Sequence, residues 1–277
     1  MSLPKIPLAG VIGSPIAHSK SPQLHRHWLK TYGLQGFYIP MDVSPENLRE
    51  VLTNLPKMGF VGVNITIPHK EAVLQIADLV TDRATLIGAA NTLIFRKDGK
   101  IHADNTDGYG FLENLKKGAP TWNPKSGPAV VLGAGGASRA VVASLLDAGV
   151  PEILISNRTR IRAEKLAEDF GKRLQVVDWV QVGNVLEEAT LTVNTTSLGM
   201  VGHPELRVPL DGLRKGSIVT DLVYTPLQTN FLREAEAQGC ITVDGLGMLL
   251  YQAAPGFERW FGHRPEVDSA TRAAALR

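Results

Sequence analysis

Ala129-Val130-Val131-Leu132-Gly133-Ala134-Gly135-Gly136-Ala137-Ser138 is the stretch that decides the fold. Ala129 to Leu132 run without a polar interruption, as a strand buried on both faces does. Three glycines follow, and an apolar-periodic segment from Ser138 to Ala148 begins at once. A strand that turns through glycine into a helix aims the unpaired N–H groups of the helix N-terminus at whatever lies in the turn, and a pyrophosphate suits them. Glycine is required because the backbone must turn tightly and let phosphate oxygens approach closely. Ser138 stands where such a turn usually has its last glycine, and it is small enough to keep the packing close. An ordinary tight turn is the plainer alternative.

The end of the next strand, Glu152 to Ser156, chooses between dinucleotides. An acid there receives the ribose 2′-hydroxyl of NAD, whereas arginine accommodates the 2′-phosphate of NADP. The sequence continues Asn157-Arg158-Thr159-Arg160-Ile161-Arg162, with no acid before Glu164. If a helix starts near Thr159, Arg158 and Arg162 converge on one anion, and guanidinium forks match phosphate geometry. A solvated basic face would also read this way, but the missing acid favours NADP.

Working outward, the same rhythm continues on both sides. Downstream strands are expected at Leu174–Val177, Leu191–Asn194 and Ser217–Asp221, then an apolar strand ending at Val243 and a helix from Leu246 to Phe261. Upstream, the loop from Thr121 to Pro128 marks a boundary. Before it the pattern predicts a strand at Ala9–Gly13 and a helix from Ser21 to about Tyr32, with Pro22 in its first turn. A strand at Phe37–Asp42, a helix at Glu46–Leu55, a strand at Gly62–Ile67 stopped by Pro68, and a helix at Lys70–Leu79 follow. Asn91–Phe95 and Lys100–Ala103 read as a hairpin around Asp98-Gly99. Strands alternating with helices argue for largely parallel sheets covered on both faces.

Composition narrows the class. A chain of 277 residues accommodates one large or two modest domains, and 44% hydrophobic with 20% charged residues can build a real core. A net charge of +2 is too small to argue for nucleic acid. Cys240 is the single cysteine, so no internal disulfide forms; before the apolar Ile241-Thr242-Val243 it reads as a buried, inert thiol. No apolar run approaches the roughly 20 residues of a membrane span, and the cytoplasm is the default address.

The N-terminal half carries the chemistry. In Asn64-Ile65-Thr66-Ile67-Pro68-His69-Lys70, strand alternation puts Asn64 and Thr66 on one face, and Pro68 delivers Lys70 beyond the strand end, at a helix start. Asn105-Thr106-Asp107-Gly108 offers a carboxylate in a glycine-flanked turn, though Asp107 is equally a helix cap. Ser19 and Ser21, two apart at a helix start, are either caps or a pair of hydroxyls able to grip a carboxylate.

Taken together, Ser19-Lys-Ser21-Pro22, Asn64 through Lys70, Gly88-Ala-Ala-Asn91-Thr92, Asn105 through Gly108, Gly133 through Ser138, Asn157-Arg158-Thr159, and Asp244-Gly-Leu-Gly-Met248 with Gln252 resemble the shikimate dehydrogenase family over nearly the whole chain. The resemblance implies an N-terminal three-layer α/β substrate-binding catalytic domain, residues 1–108 completed by 246–277, and a C-terminal Rossmann NADP-binding domain, residues 109–245, with the substrate in the cleft between them. It implies an oxidoreductase acting on a CH–OH group, reducing 3-dehydroshikimate to shikimate reversibly with NADPH in chorismate and aromatic amino-acid biosynthesis. Ser19 and Ser21 match the residues that hold the substrate carboxylate, and Asn64, Thr66, Asn91, Asp107 and Gln252 those that bind ring hydroxyls. Lys70 matches the catalytic lysine, with Asp107 beside it. Tyr224 matches a tyrosine near the substrate carboxylate. Gly133, Ala134, Gly135, Gly136 and Ala137 match the pyrophosphate loop, and Asn157, Arg158, Thr159 and Arg162 the adenosine-phosphate clamp. Thr195, Thr196, Ser197, Leu222, Gly245 and Met248 fall on the nicotinamide side, and Asp82 is a further cofactor-side candidate.

The expected partners are this small-molecule substrate and NADP, with no nucleic acid, membrane or metal, in a monomer or homodimer. A quinate/shikimate dehydrogenase with relaxed substrate or NAD use is the neighbouring alternative; it would be expected to carry an acid near Arg158-Thr159. A sensor that has lost the chemistry would have no need to keep Lys70 and Asp107. Another two-domain Rossmann enzyme, such as a methylenetetrahydrofolate dehydrogenase, leaves the paired serines unexplained.

Overall fold

In the computed structural model, which describes residues 6–276, apolar alternation builds the first sheet. Its elements are β1 (Leu8–Gly13), α1 (Ser21–Thr31), β2 (Phe37–Asp42), α2 (Leu48–Asn54), β3 (Phe60–Ile65), β4 (Leu79–Val80), α3 (Asp82–Ile87), β5 (Thr92–Phe95) and β6 (Ile101–Asp104). Sheet order is β2-β1-β3-β5-β6-β4. β1 pairs parallel with both β2 and β3, and the hairpin β5–β6 joins β3 antiparallel. Because side chains alternate across a strand, β1 feeds two cores. Ile12 packs with Leu48 and Leu52 of α2, while Ala9 and Val11 pack with Tyr38 and Trp260 on the other face.

The second sheet contains α4 (Asp107–Gly118), β7 (Ala129–Leu132), α5 (Gly136–Ala148), β8 (Ile153–Ser156), α6 (Arg160–Phe170), β9 (Leu174–Val176), α7 (Val182–Val185), β10 (Leu191–Asn194), β11 (Ile218–Asp221), α8 (Asn230–Ala237) and β12 (Ile241–Val243). The order β12-β11-β10-β7-β8-β9 is parallel throughout, the doubly wound arrangement. β7 is buried on both faces, which is why it reads as an unbroken apolar run. Val131 faces Phe111, Val141 and Leu145, and Val130 and Leu132 face Val182, Phe231 and Leu232.

The chain ends with α9 (Leu246–Phe261) and α10 (Ser269–Leu276). Residues up to Thr106 together with Leu249 onward make one compact unit, and Asp107 to Met248 the other. In the first unit Trp260 of α9 reaches β5, its indole N–H donating to the Leu93 carbonyl oxygen at 3.1 Å. That approach needs Gly62: a Cβ there would lie 2.1 Å from the indole nitrogen.

The N-terminal half departs from the sequence expectation in one segment. β3 ends at Ile65, and the expected helix from Lys70 to Leu79 is replaced by turns with a short 3-10 stretch at Ala72–Gln75, Leu79 already opening β4. The Lys70 carbonyl accepts from Ala90 N–H at 2.8 Å, which takes it away from an intrahelical partner. At the other end Asp78 is tied to Ile101 through both its backbone N–H and its carboxylate. A segment fastened at both ends to neighbouring strands lacks the freedom to wind regularly. Thr81 then caps α3, its hydroxyl accepting from Ala84 N–H.

Candidate active site

In the first unit one network of hydrogen bonds joins Asn64, Asn91 and Gln252, with Ser19 and Ser21 bonded to each other. Ser21, the first residue of α1, is buried, and Ser19 Oγ accepts from its N–H at 3.3 Å. The Ser21 side chain neighbours the phenolic hydroxyl of Tyr38, which donates to Asn64 Oδ1 at 2.6 Å. Asn64 Nδ2 donates to the Asn91 carbonyl oxygen at 3.0 Å and to Thr92 Oγ1 at 3.3 Å. Asn64 is therefore held at both ends of its amide.

Asn91, at the entry to β5, is held as firmly. Its Oδ1 accepts from Thr106 N–H at 2.9 Å and from the Thr92 hydroxyl at 3.0 Å. Its Nδ2 donates to Gln252 Oε1 at 3.0 Å, and Gln252 Nε2 donates to Leu249 O at 2.9 Å. The Thr106 hydroxyl lies 2.9 Å from the Gln252 carbonyl oxygen and 3.1 Å from Asn91 Oδ1, and its one proton serves either. Helix α9 thus brings Gln252, far along the sequence, against Asn91 at the entry to β5. The result is a buried wall of amides and hydroxyls, suited to a ring bearing several hydroxyl groups.

The turn after β3 holds Thr66 and Lys70. Thr66 N–H donates to Ile12 O, and its methyl group covers Gly13, where a Cβ would come within 2.5 Å. His69 is buried, and its Nε2 donates to the Val43 carbonyl oxygen at 2.7 Å. With His69 anchored behind and its own carbonyl tied to Ala90, Lys70 keeps a fixed backbone and a half-buried side chain. On the far side of the sheet, Asp104 accepts from Arg83 Nε at 2.6 Å, from Thr81 at 2.8 Å and from Asn105 N–H at 2.8 Å. Burial raises the Asp104 pKa, but the bonds from Arg83 and Thr81 outweigh it and hold the carboxyl below its usual range. This anchor fixes the turn that leads into Asp107, a buried residue opening α4.

The second unit holds the glycine loop. Gly133 has a φ of +110°, and a Cβ there would lie 2.6 Å from Thr195 Oγ1. Gly135 and Gly136 face open space, with nothing within 4 Å of a Cβ built on either. Ser138 is fully buried. Its Oγ accepts from Gly135 N–H at 3.1 Å and lies 2.6 Å from Thr195 Oγ1, which donates to Leu132 O at 2.7 Å. Ser138 is thus part of the frame of the loop. At the end of β8, Arg158 and Arg162 are exposed and form no ion pair with other described residues, whereas Arg160 between them is held by Glu164 and Asp178. Asn157 bonds to Thr159 O at 2.8 Å, and Thr159 is the N-cap of α6.

The adjacent loops share one buried carboxylate. Asp221, ending β11, accepts from Asn194 Nδ2 at 2.9 Å, Val223 N–H at 2.9 Å and the Thr229 hydroxyl at 2.7 Å. Burial pushes its pKa up to about 6, because these three bonds offset only part of the lost hydration. Asn194 Oδ1 in turn receives the backbone and hydroxyl of Thr196. Leu222 is half-buried, Ser197 is exposed, and Tyr224 is half-buried with its hydroxyl pKa raised by burial. Gly245 allows the turn before α9 to run against Leu222, whose carbonyl oxygen would lie 2.4 Å from a Cβ. Met248 is buried in the core of this unit. Asp82 is exposed in the first turn of α3 and belongs to the first unit, whereas the other cofactor candidates belong to the second.

Tyr38, Thr92, Thr106, Asn194 and Asp221 are the residues that reasoning from sequence gave no role. Tyr38 reads as a plain core aromatic on an alternating strand, and nothing local marks its hydroxyl. Asn194 and Asp221 carried a usable signal: each is a polar residue ending an apolar strand, at the edge where open α/β sheets bind ligands.

Three family descriptions match the chain: "Shikimate dehydrogenase substrate binding domain" over residues 11–93, "Shikimate / quinate 5-dehydrogenase" over 117–201, and "Shikimate 5'-dehydrogenase C-terminal domain" over 245–275. The shikimate dehydrogenase (NADP(+)) of Roseobacter denitrificans is 68% identical over 276 residues, covering 100% of both chains. That of Cereibacter sphaeroides is 71% identical over 272 residues, covering 98% of each. Among solved structures, the Thermus thermophilus shikimate 5-dehydrogenase in complex with NADP(H) and shikimate is 41% identical, with a TM-score of 0.87 and 98% coverage of both chains. The quinate dehydrogenase of Corynebacterium glutamicum in complex with NAD is 33% identical, with a TM-score of 0.91 and 98% coverage of both. The chain belongs to the family of NADP-dependent shikimate dehydrogenases.

Proposed function

We propose that this chain is an NADP-dependent shikimate dehydrogenase, interconverting 3-dehydroshikimate and shikimate in the cytoplasm as a step toward chorismate and the aromatic amino acids. The single observation that carries the reading is the buried wall of Asn64 on β3, Asn91 at the entry to β5 and Gln252 on α9, in the same unit in which β3 leads into Lys70. A polyhydroxylated ring brings hydroxyls that can bond to the amide oxygens and N–H groups of such a wall beside their internal bonds, whereas an apolar ligand brings none.

Ser19 and Ser21 are assigned to the substrate carboxylate, through charge-assisted hydrogen bonds. Asn64, Thr66, Asn91 and Gln252 are assigned to the ring hydroxyls. Asp107 and Tyr224 are assigned to the substrate on the family likeness alone. Gly135 and Gly136, open in front of the N-terminus of α5, together with Arg158 and Arg162, which have no ion pair among the described residues, fit a dinucleotide carrying a 2′-phosphate. Since Ser138 takes the Gly135 N–H, the phosphate-facing donors fall to Gly136 and Ala137. Thr195, Thr196, Ser197, Leu222, Gly245 and Met248 are assigned to the nicotinamide side, and Asp82 to an outer cofactor role.

NADP, when bound, exchanges the hydride at the ring carbon. Lys70 handles the proton. Its neutral amine takes the proton of the hydroxyl during oxidation, and its ammonium returns it to the oxygen during reduction, stabilising the negative charge that develops there. A quinate/shikimate dehydrogenase with NAD use is the second reading, favoured by the likeness to the quinate enzyme; the absence of an acid between Asn157 and Ala163 weighs against it.

Replacing Lys70 with alanine tests the assignment. Lys70→Ala is expected to lower kcat by about a thousandfold, within the range of general acid–base catalysis, while shikimate binding measured by calorimetry changes less than about threefold. Turnover near the unsubstituted rate would remove Lys70 from the chemistry.

A further inference from the structure

Tyr38 lies on β2, paired with Ala9 of β1, and Ala9 pairs in turn with Gly62 of β3. The small Ala9 side chain leaves room for the phenol ring to lie across β1 and place its hydroxyl at Asn64. There the hydroxyl donates to Asn64 Oδ1 at 2.6 Å, with the Ser21 side chain as its neighbour. One buried hydroxyl is therefore bonded to a residue assigned to the ring hydroxyls and neighbours one assigned to the substrate carboxylate. The ring is clamped from behind by His25, stacked on it with centroids 3.8 Å apart and planes 6° from parallel.

His25 itself is fully buried, with neither ring nitrogen hydrogen-bonded among the described residues. Burial lowers its pKa to about 3, so near neutral pH it is an uncharged aromatic plate, edge-on to Trp28. Burial likewise raises the Tyr38 pKa well above its usual value, so the phenol stays protonated and remains a donor. The donor matters because of how Asn64 is held. Its Nδ2 is committed to Asn91 O and Thr92 Oγ1, so Oδ1 must face Tyr38. Without that donor, Oδ1 is buried without a partner, and a flip of the amide to satisfy it breaks both Nδ2 bonds.

We infer that Tyr38, held by His25, is a positioning residue that sets Asn64 and Ser21 in register with one another for the two ends of one substrate. The inference rests on the shikimate reading given above.

The test is a double-mutant cycle on the intact chain: Tyr38→Phe, Asn64→Ala and the double variant, assayed for shikimate oxidation at saturating NADP, with melting temperatures recorded. Tyr38→Phe keeps the stacked ring and removes only the hydroxyl. Its shikimate KM is expected to rise about tenfold, with kcat within about threefold and the NADP KM unchanged. In the Asn64→Ala background the same change should add less than about twofold, since the group it positions is gone. A lowered melting temperature with an unchanged shikimate KM would make Tyr38 merely structural and overturn the inference, as would full multiplicativity in the cycle. An unsubstituted chain unable to oxidise shikimate would strike down the activity and the positioning role together, whereas an active one beside an unaffected Tyr38→Phe strikes down the positioning role alone.

Discussion

Arg158, Arg160 and Arg162 show how neighbours of one residue type divide their work. Arg160 is spent on Glu164 and Asp178, while Arg158 and Arg162 have no carboxylate partner among the described residues and stay available to an anion. The sequence already carried the essential fact, the lack of an acid at the end of β8, because that choice is local. It could not say which arginines are already paired, since Asp178 lies well beyond α6. Arg158→Ala is expected to raise the NADP KM about tenfold or more, the range for losing a charge-assisted phosphate contact, and to leave the NAD KM within about twofold. Steady-state kinetics with both cofactors checks it, and equal losses would contradict the 2′-phosphate assignment. Tyr38 marks the opposite limit of legibility. Its hydroxyl finds Asn64 26 residues away, through strand pairing that periodicity does not reveal.

At the scale of elements, the parallel strands were readable because burial on both faces leaves an unbroken apolar run, as in β7. The stretch after Pro68 was not. Its helix-like apolar spacing at Val73, Leu74 and Ala77 serves packing under the sheet, while hydrogen bonds to Ala90 and Ile101 dictate the backbone. The ends of β10 and β11 carry the clearest pH signature. Asp221 has its pKa raised from 3.8 to about 6 by burial, so the folded state keeps its proton longer than the unfolded chain. Below about pH 4 the group is neutral in both states and costs nothing; between pH 4 and 6 only the unfolded chain ionises it, and stability falls. Relative to Asp221→Asn, the unsubstituted protein is expected to lose about 2–3 kcal/mol of unfolding free energy from pH 4 to pH 7. Urea denaturation of both proteins across that range measures the difference; a constant gap would show that the carboxyl has an ordinary pKa.

Over the whole molecule, two α/β units divide the residues by chemistry. The first collects the paired serines, the amide wall and Lys70, and the second the glycine loop and the free arginines. That division was legible because each motif is short and sits at a strand end, where open sheets present ligand-binding groups. The supporting shell was not, because Thr106 on Asn91, Asp104 under the turn and Asp221 between two loops are recognisable only once distant strands are side by side. What the molecule is built to do is bring a carboxylated polyol ring and a 2′-phosphorylated dinucleotide into one reaction. Steady-state oxidation of shikimate by the purified chain, with NADP beside NAD, tests that most directly. Turnover is expected with kcat/KM for NADP at least about tenfold above that for NAD, as a charge-assisted phosphate contact provides. Equal use of the two cofactors, or no oxidation of shikimate with either, would contradict it.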